Sequence, residues 1–480
     1  MTDFYRVKMT GETIMSVRNV NVALPAPGGA LAEQIAAVLT RPWPVTAGAA
    51  ETAVNDLLDM AGLCIAARRS DYITALVNTE DQAGDCTAFG HPGGFSAAGA
   101  ALINGTATHG EDFDDTLEGA PIRVGAMVLP AVLAAAERHH RTGTDALRGI
   151  IAGLEMVCRF NHVVPGAIHK AGFHPVGVIG VLGATAGAGV ALGLNAQQLT
   201  DAFGIAGSFA SGLGEFLSEG AWTKRLHPGW AAQSGYRAAL LGQAGFNGPR
   251  TIFEGPRNLF RVFGRDAAPD YAPLLAGLGE QWRMERIAFK PYACGTMIHP
   301  YIDCILQLRR EGIQAQHIVA IECDTAEGLV DRLWEPLAAK QRPTSGYAAK
   351  FSMPFAMAVA FYEGDAGLAQ FTDVKVTQRA VLDLASRIHY RIDPHNDYPR
   401  NYSGHLRVTM TDGTVREWHQ GHFRGGVREP LTRAELIAKF NSNIAWGGLS
   451  PEAGEQLRQF CLTLPEVADM QTLVRLRQQV

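Results

Sequence analysis

Apolar residues recur every three to four positions through most of the first 285 residues, a spacing that predicts helices over 31–39, 52–67, 97–107, 127–140, 145–161, 176–192 and 229–243. The punctuation agrees. Thr144 is placed to cap the helix beginning at Asp145, Asn195 with Gln198 forms a capping box, and Pro228 suits a first helical turn. Near residue 286 the period shortens. Alternation predicts strands at 286–292, 317–324, 373–377, 387–392, 404–411 and 413–419, with helices at 299–311 and 354–363. Asp412-Gly413 between the last two strands is a hairpin turn signal. After Gly425-Gly426 helices return, started by Thr432 with Glu435 and by Ser450-Pro451-Glu452. Residues 1–27 are polar and irregular and end in Pro25-Ala26-Pro27. The expected fold is therefore mainly α: an N-terminal arm (1–27), a large all-helical domain (28–285 and 425–480) and a smaller α+β lid domain (286–424).

Composition sharpens this picture in three places. A chain of 480 residues with 47% hydrophobic and 19% charged residues has the makeup of a soluble globular protein of two or three domains. A net charge of −5 gives no reason to expect nucleic acid or an anionic membrane as partner. The seven cysteines (64, 86, 158, 294, 304, 323, 461) form no C-x-x-C pair, and such a scattered odd set reads as reduced thiols in a cytoplasmic protein. No secretory leader is expected, because residues 1–18 carry charges throughout. Residues 176–194 hold no charge and are long enough to span a bilayer. Ten of the nineteen are Gly or Ala, so transfer into lipid is weakly favourable, and a closely packed central helix is the expectation.

The chemistry concentrates at His109-Gly-Glu-Asp-Phe-Asp-Asp-Thr116. If the preceding helix continues through it, His109, Asp112, Asp115 and Thr116 share one face and Asp114 points elsewhere. Four carboxylates in five positions repel one another, so burial requires cations, hydrogen bonds or shifted pKa values. The alternative is a solvated acidic helix end. Apolar runs on both sides favour the buried reading, which makes the motif a candidate site. Three further clusters interrupt apolar sequence. Phe173-His174-Pro175 precedes the uncharged helix, where a helix N-terminus suits an anion and lowers the pKa of histidine, or where His174 is simply a cap. Thr223-Lys224-Arg225-Leu226-His227-Pro228 is cationic, a carboxylate or phosphate site or else a solvated basic turn. Lys290, in Phe289-Lys290-Pro291-Tyr292, stands alone where the two domains should meet, either snorkelling or reaching into a cleft. A carboxylate, imidazoles and two lysines suit proton abstraction next to a carboxylate on a small polyanion. No metal-ligand spacing and no dinucleotide fingerprint occur, so the expected chemistry needs no metal and no cofactor.

In their order, Asp112-Phe-Asp-Asp-Thr116, Phe173-His-Pro175, Thr223-Lys-Arg-Leu-His-Pro-Gly229 and Phe289-Lys-Pro-Tyr292 resemble the MmgE/PrpD family over about residues 30–470. The family includes 2-methylcitrate dehydratase, cis-aconitate decarboxylase and iminodisuccinate epimerase. The resemblance implies a helical domain with an α+β lid, usually a homodimer, and a pocket lined by Asp112, Thr116, His174, Lys224, His227 and Lys290. It makes His174 the leading proton carrier, with Asp112, Lys224 and Lys290 beside it, and adds Thr116, His227, Arg123 and His109 as substrate-binding candidates. This chain departs from the decarboxylase pattern at Arg123 and about Gly295, where that enzyme has histidines. The reading that results is a 2-methylcitrate dehydratase-like lyase acting on a di- or tricarboxylic acid. The alternatives are an epimerase of a dicarboxylate, a cis-aconitate decarboxylase-like enzyme, or a carboxylate-binding sensor. Asp112-x-Asp-Asp-Thr116 also matches the acid motif of helical terpene cyclases, but an aromatic content of 8% is poor for a carbocation pocket.

Overall fold

The computed structural model describes residues 29–478 apart from Pro121 and Asp266; the expected arm, 1–27, lies outside that range. The fold is mainly α. Helices of nine residues or more are Leu31–Leu39 (α1), Ala47–Ala67 (α2), Ala97–Gly110 (α3), Gly125–Arg138 (α4), Gly143–Asn161 (α5), Pro175–Leu192 (α6), Ala196–Phe209 (α7), Thr223–Gln243 (α8), His299–Arg310 (α9), Met353–Glu363 (α10), Arg433–Gly447 (α11) and Pro451–Leu462 (α12). One hydrophobic core runs from Ala32 to Phe289 and takes in Leu436 to Leu473 from the C-terminal helices. A second is built almost wholly from Tyr292 to Trp418. The chain thus leaves the helical body for the lid and returns, with α11 packed along α2.

Helix α6 runs through the middle, in contact with α4, α5, α7 and α8. It is long and apolar enough to cross a membrane, yet 94% of it is buried inside the protein. Its small residues explain the close neighbours: a Cβ on Gly183 would sit 2.1 Å from the Val157 side chain of α5. A second tight crossing positions the site. A Cβ on Gly229 of α8 would meet the Leu102 carbonyl of α3 at 2.2 Å, and one on Gly105 would meet the Gly229 Cα at 2.7 Å. Backbone therefore lies against backbone just before His109 and just after His227.

Two short ladders accompany the helices: Cys86–Thr87 (β1) with Gly94–Phe95 (β2), and Thr116–Leu117 (β3) with Ile287–Ala288 (β4). The lid carries Ile318–Thr325 (β5), Ile388–Ile392 (β6), Gly404–Met410 (β7) and Val415–Gln420 (β8), in the order β6-β5-β7-β8. Only β5 and β6 run parallel. Helix α9 packs on β7 and β8 and against α10. The Asp412-Gly413 turn joins β7 to β8, and Gly413 supplies the left-handed φ of 84°.

Several local expectations are corrected. The α5 cap is Thr142, in a box with Asp145, so the helix starts before the predicted Thr144 cap. Pro228 lies inside α8, which begins at Thr223. Residues 373–377 form a 3-10 turn at Lys375–Thr377 instead of a strand, because Thr372 Oγ1 accepts the Lys375 N–H locally. Of the strand expected at 286–292 only β4 forms; Phe289 N–H turns to the Gly425 carbonyl and Lys290 is buried at the domain junction.

Candidate active site

The acidic motif does not continue α3. The helix ends at Gly110, and Asp112 takes φ = 55°, a conformation uncommon for residues other than glycine and enriched in aspartate. Its backbone conformation is held from several sides. The carboxylate accepts from Lys224 Nζ at the start of α8 and, at 2.9 Å, from the Tyr347 hydroxyl of the lid. The Asp112 carbonyl accepts from Lys290 Nζ at 2.5 Å. Strain that its surroundings over-determine in this way clusters at functional sites.

Breaking the helix sends each acidic side chain to a different partner. Glu111 pairs with Lys350 at 2.6 Å. Asp114 pairs with His109 at 2.8 Å and Arg123 at 3.4 Å. Asp115 accepts the Val124 and Gly125 N–H groups at 3.0 Å each and so caps α4. Phe113 packs into the lid core, and its carbonyl accepts from Lys439 of α11 at 2.7 Å. The expectation that His109, Asp112, Asp115 and Thr116 share a helical face is therefore wrong. The turn at Asp112 brings His109 to Asp114 and sends Asp115 into the core.

Facing the motif are two imidazoles. His174 is the N-cap residue of α6, with Pro175 at the first position, and its N–H donates to the Gly212 carbonyl at 2.8 Å. His174 Nδ1 lies 2.9 Å from His227 Nδ1, so one ring donates to the other. The Phe216 ring packs on both, with centroids 5.4 and 5.8 Å away. The His109 ring lies 5.9 Å from that of His174.

Burial and charge set the protonation states. Asp112 is only 2% exposed; burial opposes its ionisation, but Lys224, His109 and Lys290 outweigh that and hold the carboxyl well below its usual range. Asp114 is lowered in the same way by His109 and Arg123 against its burial. Burial, followed by the neighbouring His109, His227 and Lys224, holds His174 well below an ordinary histidine. His227 falls to about 4 through burial and His109. At neutral pH His174 and His227 are therefore neutral and able to accept a proton. Lys290, fully buried, is brought down to about 7 by burial and the nearby Arg123 charge.

Apart from Lys290, the residues of this arrangement fall within stretches shared with known proteins. Residues 29–272 match the model of the MmgE/PrpD N-terminal domain, and residues 292–463 match that of the MmgE/PrpD C-terminal domain. The chain belongs to the MmgE/PrpD family. It is 27% identical over 429 residues to cis-aconitate decarboxylase of Aspergillus terreus (strain NIH 2624 / FGSC A1156), covering 84% of this chain and 86% of that protein. It is 28% identical over 388 residues to cis-aconitate decarboxylase of Homo sapiens, covering 78% of each chain.

Within this MmgE/PrpD chain the candidate residues form a partly exposed rim and a buried floor. His174, His227, Lys224 and Arg123 make the rim, the last two with side chains 16% and 18% exposed. Asp112, His109, Asp114, Thr116 and Lys290 lie behind. Thr116 Oγ1 donates to the Ile122 carbonyl at 3.2 Å, and Lys290 Nζ is engaged by the Asp112 and Cys294 carbonyls. Lys290 is fully buried and Thr116 nearly so. Among the described residues no group of three or more His, Cys, Asp or Glu side chains is arranged to hold a metal ion.

The structure adds contacts that the sequence did not specify. Tyr347 and Lys350 come from lid segment 342–351, and Phe351 lies 5.4 Å from Lys224 Nζ. Arg225 is sandwiched between Tyr72 of the helical domain and Tyr347 of the lid, 4.4 Å from each ring, and so ties the two bodies together. Lys439 pairs with Asp59 at 2.7 Å beneath the motif. A signal for Lys439 was present, because Leu436, Lys439, Phe440 and Asn443 form one buried helical stripe. Tyr347 and Lys350 carry no comparable local signal.

Proposed function

We propose that the protein is a cofactor-independent lyase acting on a small di- or tricarboxylic acid by proton transfer at a carbon next to a carboxylate. The observation that carries this reading is the neutral His174–His227 pair set beside the fixed cations Lys224 and Arg123. Cations neutralise a substrate carboxylate and the enolate-like charge that develops when the adjacent C–H is broken, while an imidazole of low pKa is ready to take the proton. For a citrate-like hydroxy acid, His174 takes the carbon-bound proton. The C–H electron pair becomes the new C=C bond, and the C–O bond breaks to release hydroxide, which leaves as water on gaining a proton. Dehydration of 2-methylcitrate or a close analogue is the leading reaction, and a dicarboxylate epimerase would use the same first step.

Decarboxylation is the second reading, and the similarity to the cis-aconitate decarboxylases of Aspergillus terreus and Homo sapiens favours it. There the C–C bond to the departing carboxylate breaks, its electron pair stays on carbon, and the His174–His227 pair must deliver a proton. Arg123, always charged, cannot serve as that donor near neutrality.

NMR in D₂O with citrate, 2-methylcitrate, cis-aconitate and iminodisuccinate separates these outcomes. Loss of water from a hydroxy acid supports the leading reaction. Release of CO₂ from cis-aconitate alone moves the assignment to decarboxylase, and deuterium exchange with inversion moves it to epimerase. No change in any acid rejects the lyase reading in favour of a binding protein.

A further inference from the structure

His109 is not arranged like a substrate-binding group. It is 2% exposed, and its Nδ1 lies 2.8 Å from an Asp114 oxygen. The ionised Asp114 carboxylate only accepts, so Nδ1 carries a proton, and Nε2 offers a lone pair whenever the ring holds no second proton. That Nε2 is buried and has no hydrogen-bond partner. A buried polar atom left unpaired calls for an explanation. The only aromatic ring near His109 among the described residues is His174, 5.9 Å away.

Resting on the proton-transfer reading above, we infer that His109, oriented by Asp114, is a second proton carrier that receives the substrate-derived proton from His174 through one water or the bound substrate. The proton passes from a His174 nitrogen to His109 Nε2, whose lone pair forms the new N–H bond. The Nδ1–H stays directed at Asp114, and that carboxylate balances the imidazolium formed. The location favours this charge, because His109 occupies the last turn of α3, where the helix dipole stabilises a cation. The charged and titratable groups acting around the ring are Asp112 and Asp114 from the motif, His174 from α6 and His227 from α8. Arg123 and Lys290 act on Asp114 itself. His174, on the rim, thereby returns to its neutral form while the proton is kept from bulk solvent. His109 is a positioning and relay residue in this scheme, not a contact to substrate.

The test compares His109→Gln and Asp114→Asn with wild type on whichever acid is turned over. Both variants should keep KM within about threefold and lose kcat, by about 10²-fold for His109→Gln and less for Asp114→Asn, since typical proton-transfer contributions are of this size. The solvent deuterium isotope effect on kcat should rise as relay becomes slower. Folded His109→Gln with wild-type kcat overturns the inference. ¹⁵N-histidine NMR of wild type provides a readout independent of turnover and of variant folding. One histidine should show a protonated Nδ1 and a bare Nε2, with an Nε2 resonance that shifts when citrate is added. A resonance indifferent to saturating citrate overturns the relay. Wild type that turns over no polycarboxylate rejects the proposed reaction, while the citrate response still decides the His109–Asp114 assignment.

Discussion

The acidic motif faces two regions of the molecule, and they treat the same side chain in opposite ways. On the pocket side, Asp112 and Asp114 are buried among Lys224, Lys290, Arg123 and His109 and stay ionised. On the core side, Asp115 has only backbone N–H groups for partners and lies near Asp56 and Asp114. Burial and then the Asp114 charge push its pKa up to about 7. Asp56 is raised well above its ordinary range by burial and Asp115, and its Oδ2 has no partner. Adjacent carboxylates of equal burial thus divide into an anion that organises cations and a group shared between cap and acid. Chemistry and stability are separated across one residue, because the left-handed turn at Asp112 aims neighbours in different directions.

That division should appear as two classes of mutant. The largest effect is expected on the pocket side: His174→Ala should lower kcat by about 10²–10⁴ with substrate still bound, measured by steady-state kinetics on folded protein. Near-normal kcat would make His174 a helix cap alone. On the core side, Lys439→Met strips Asp59 and the Phe113 carbonyl of their cation, and should cost about 3–5 kcal/mol of stability in denaturant titration. Survivors at low temperature should keep the wild-type KM. A marked KM change with intact stability would erase the boundary between the two sides.

Lys224→Ala should raise KM by about 2–4 kcal/mol if the amine meets a substrate carboxylate out of water, and Lys224→Arg should recover only part of that. Because Lys224 also holds Asp112, a fall in kcat with unchanged KM would assign it to the motif instead of the substrate.

The smallest effect is pH-dependent. Asp115 binds a proton more tightly folded than unfolded, so the folded state carries more protons between about pH 4 and 7. Stability therefore falls as pH rises through that window and levels above it. Asp115→Asn, neutral at every pH, should flatten this slope by on the order of 1–3 kcal/mol between pH 5 and pH 8. An identical slope in the variant would show that Asp115 titrates at its ordinary value.

The local layer of the structure was legible in the sequence, and its failures are instructive. Helix α1 is found at its predicted bounds, and the Asn195 and Thr432 capping boxes form as read. These depend on side chains three or four residues apart. The 373–377 strand failed because Thr372 offers the Lys375 N–H a local partner three residues back along the chain. Of the site, His174, Lys224 and Asp112 could be picked out as polar groups interrupting apolar runs. Tyr347 could not, nor could the role of Arg225 between Tyr72 and Tyr347, because that role lies in contacts between segments more than a hundred residues apart.

The sequence by itself determined the helical body, the α+β insertion, the family and the four clusters that meet at the domain junction, since period, punctuation and motif order are properties of neighbours along the chain. Only the tertiary structure decided which carboxylate meets which cation. An aspartate's charge state depends on burial and on groups within a few ångströms, and for Asp112 those groups come from α8, from the strand junction and from the lid. The close backbone crossing at Gly105 and Gly229 brings α8, and with it Lys224, within that range.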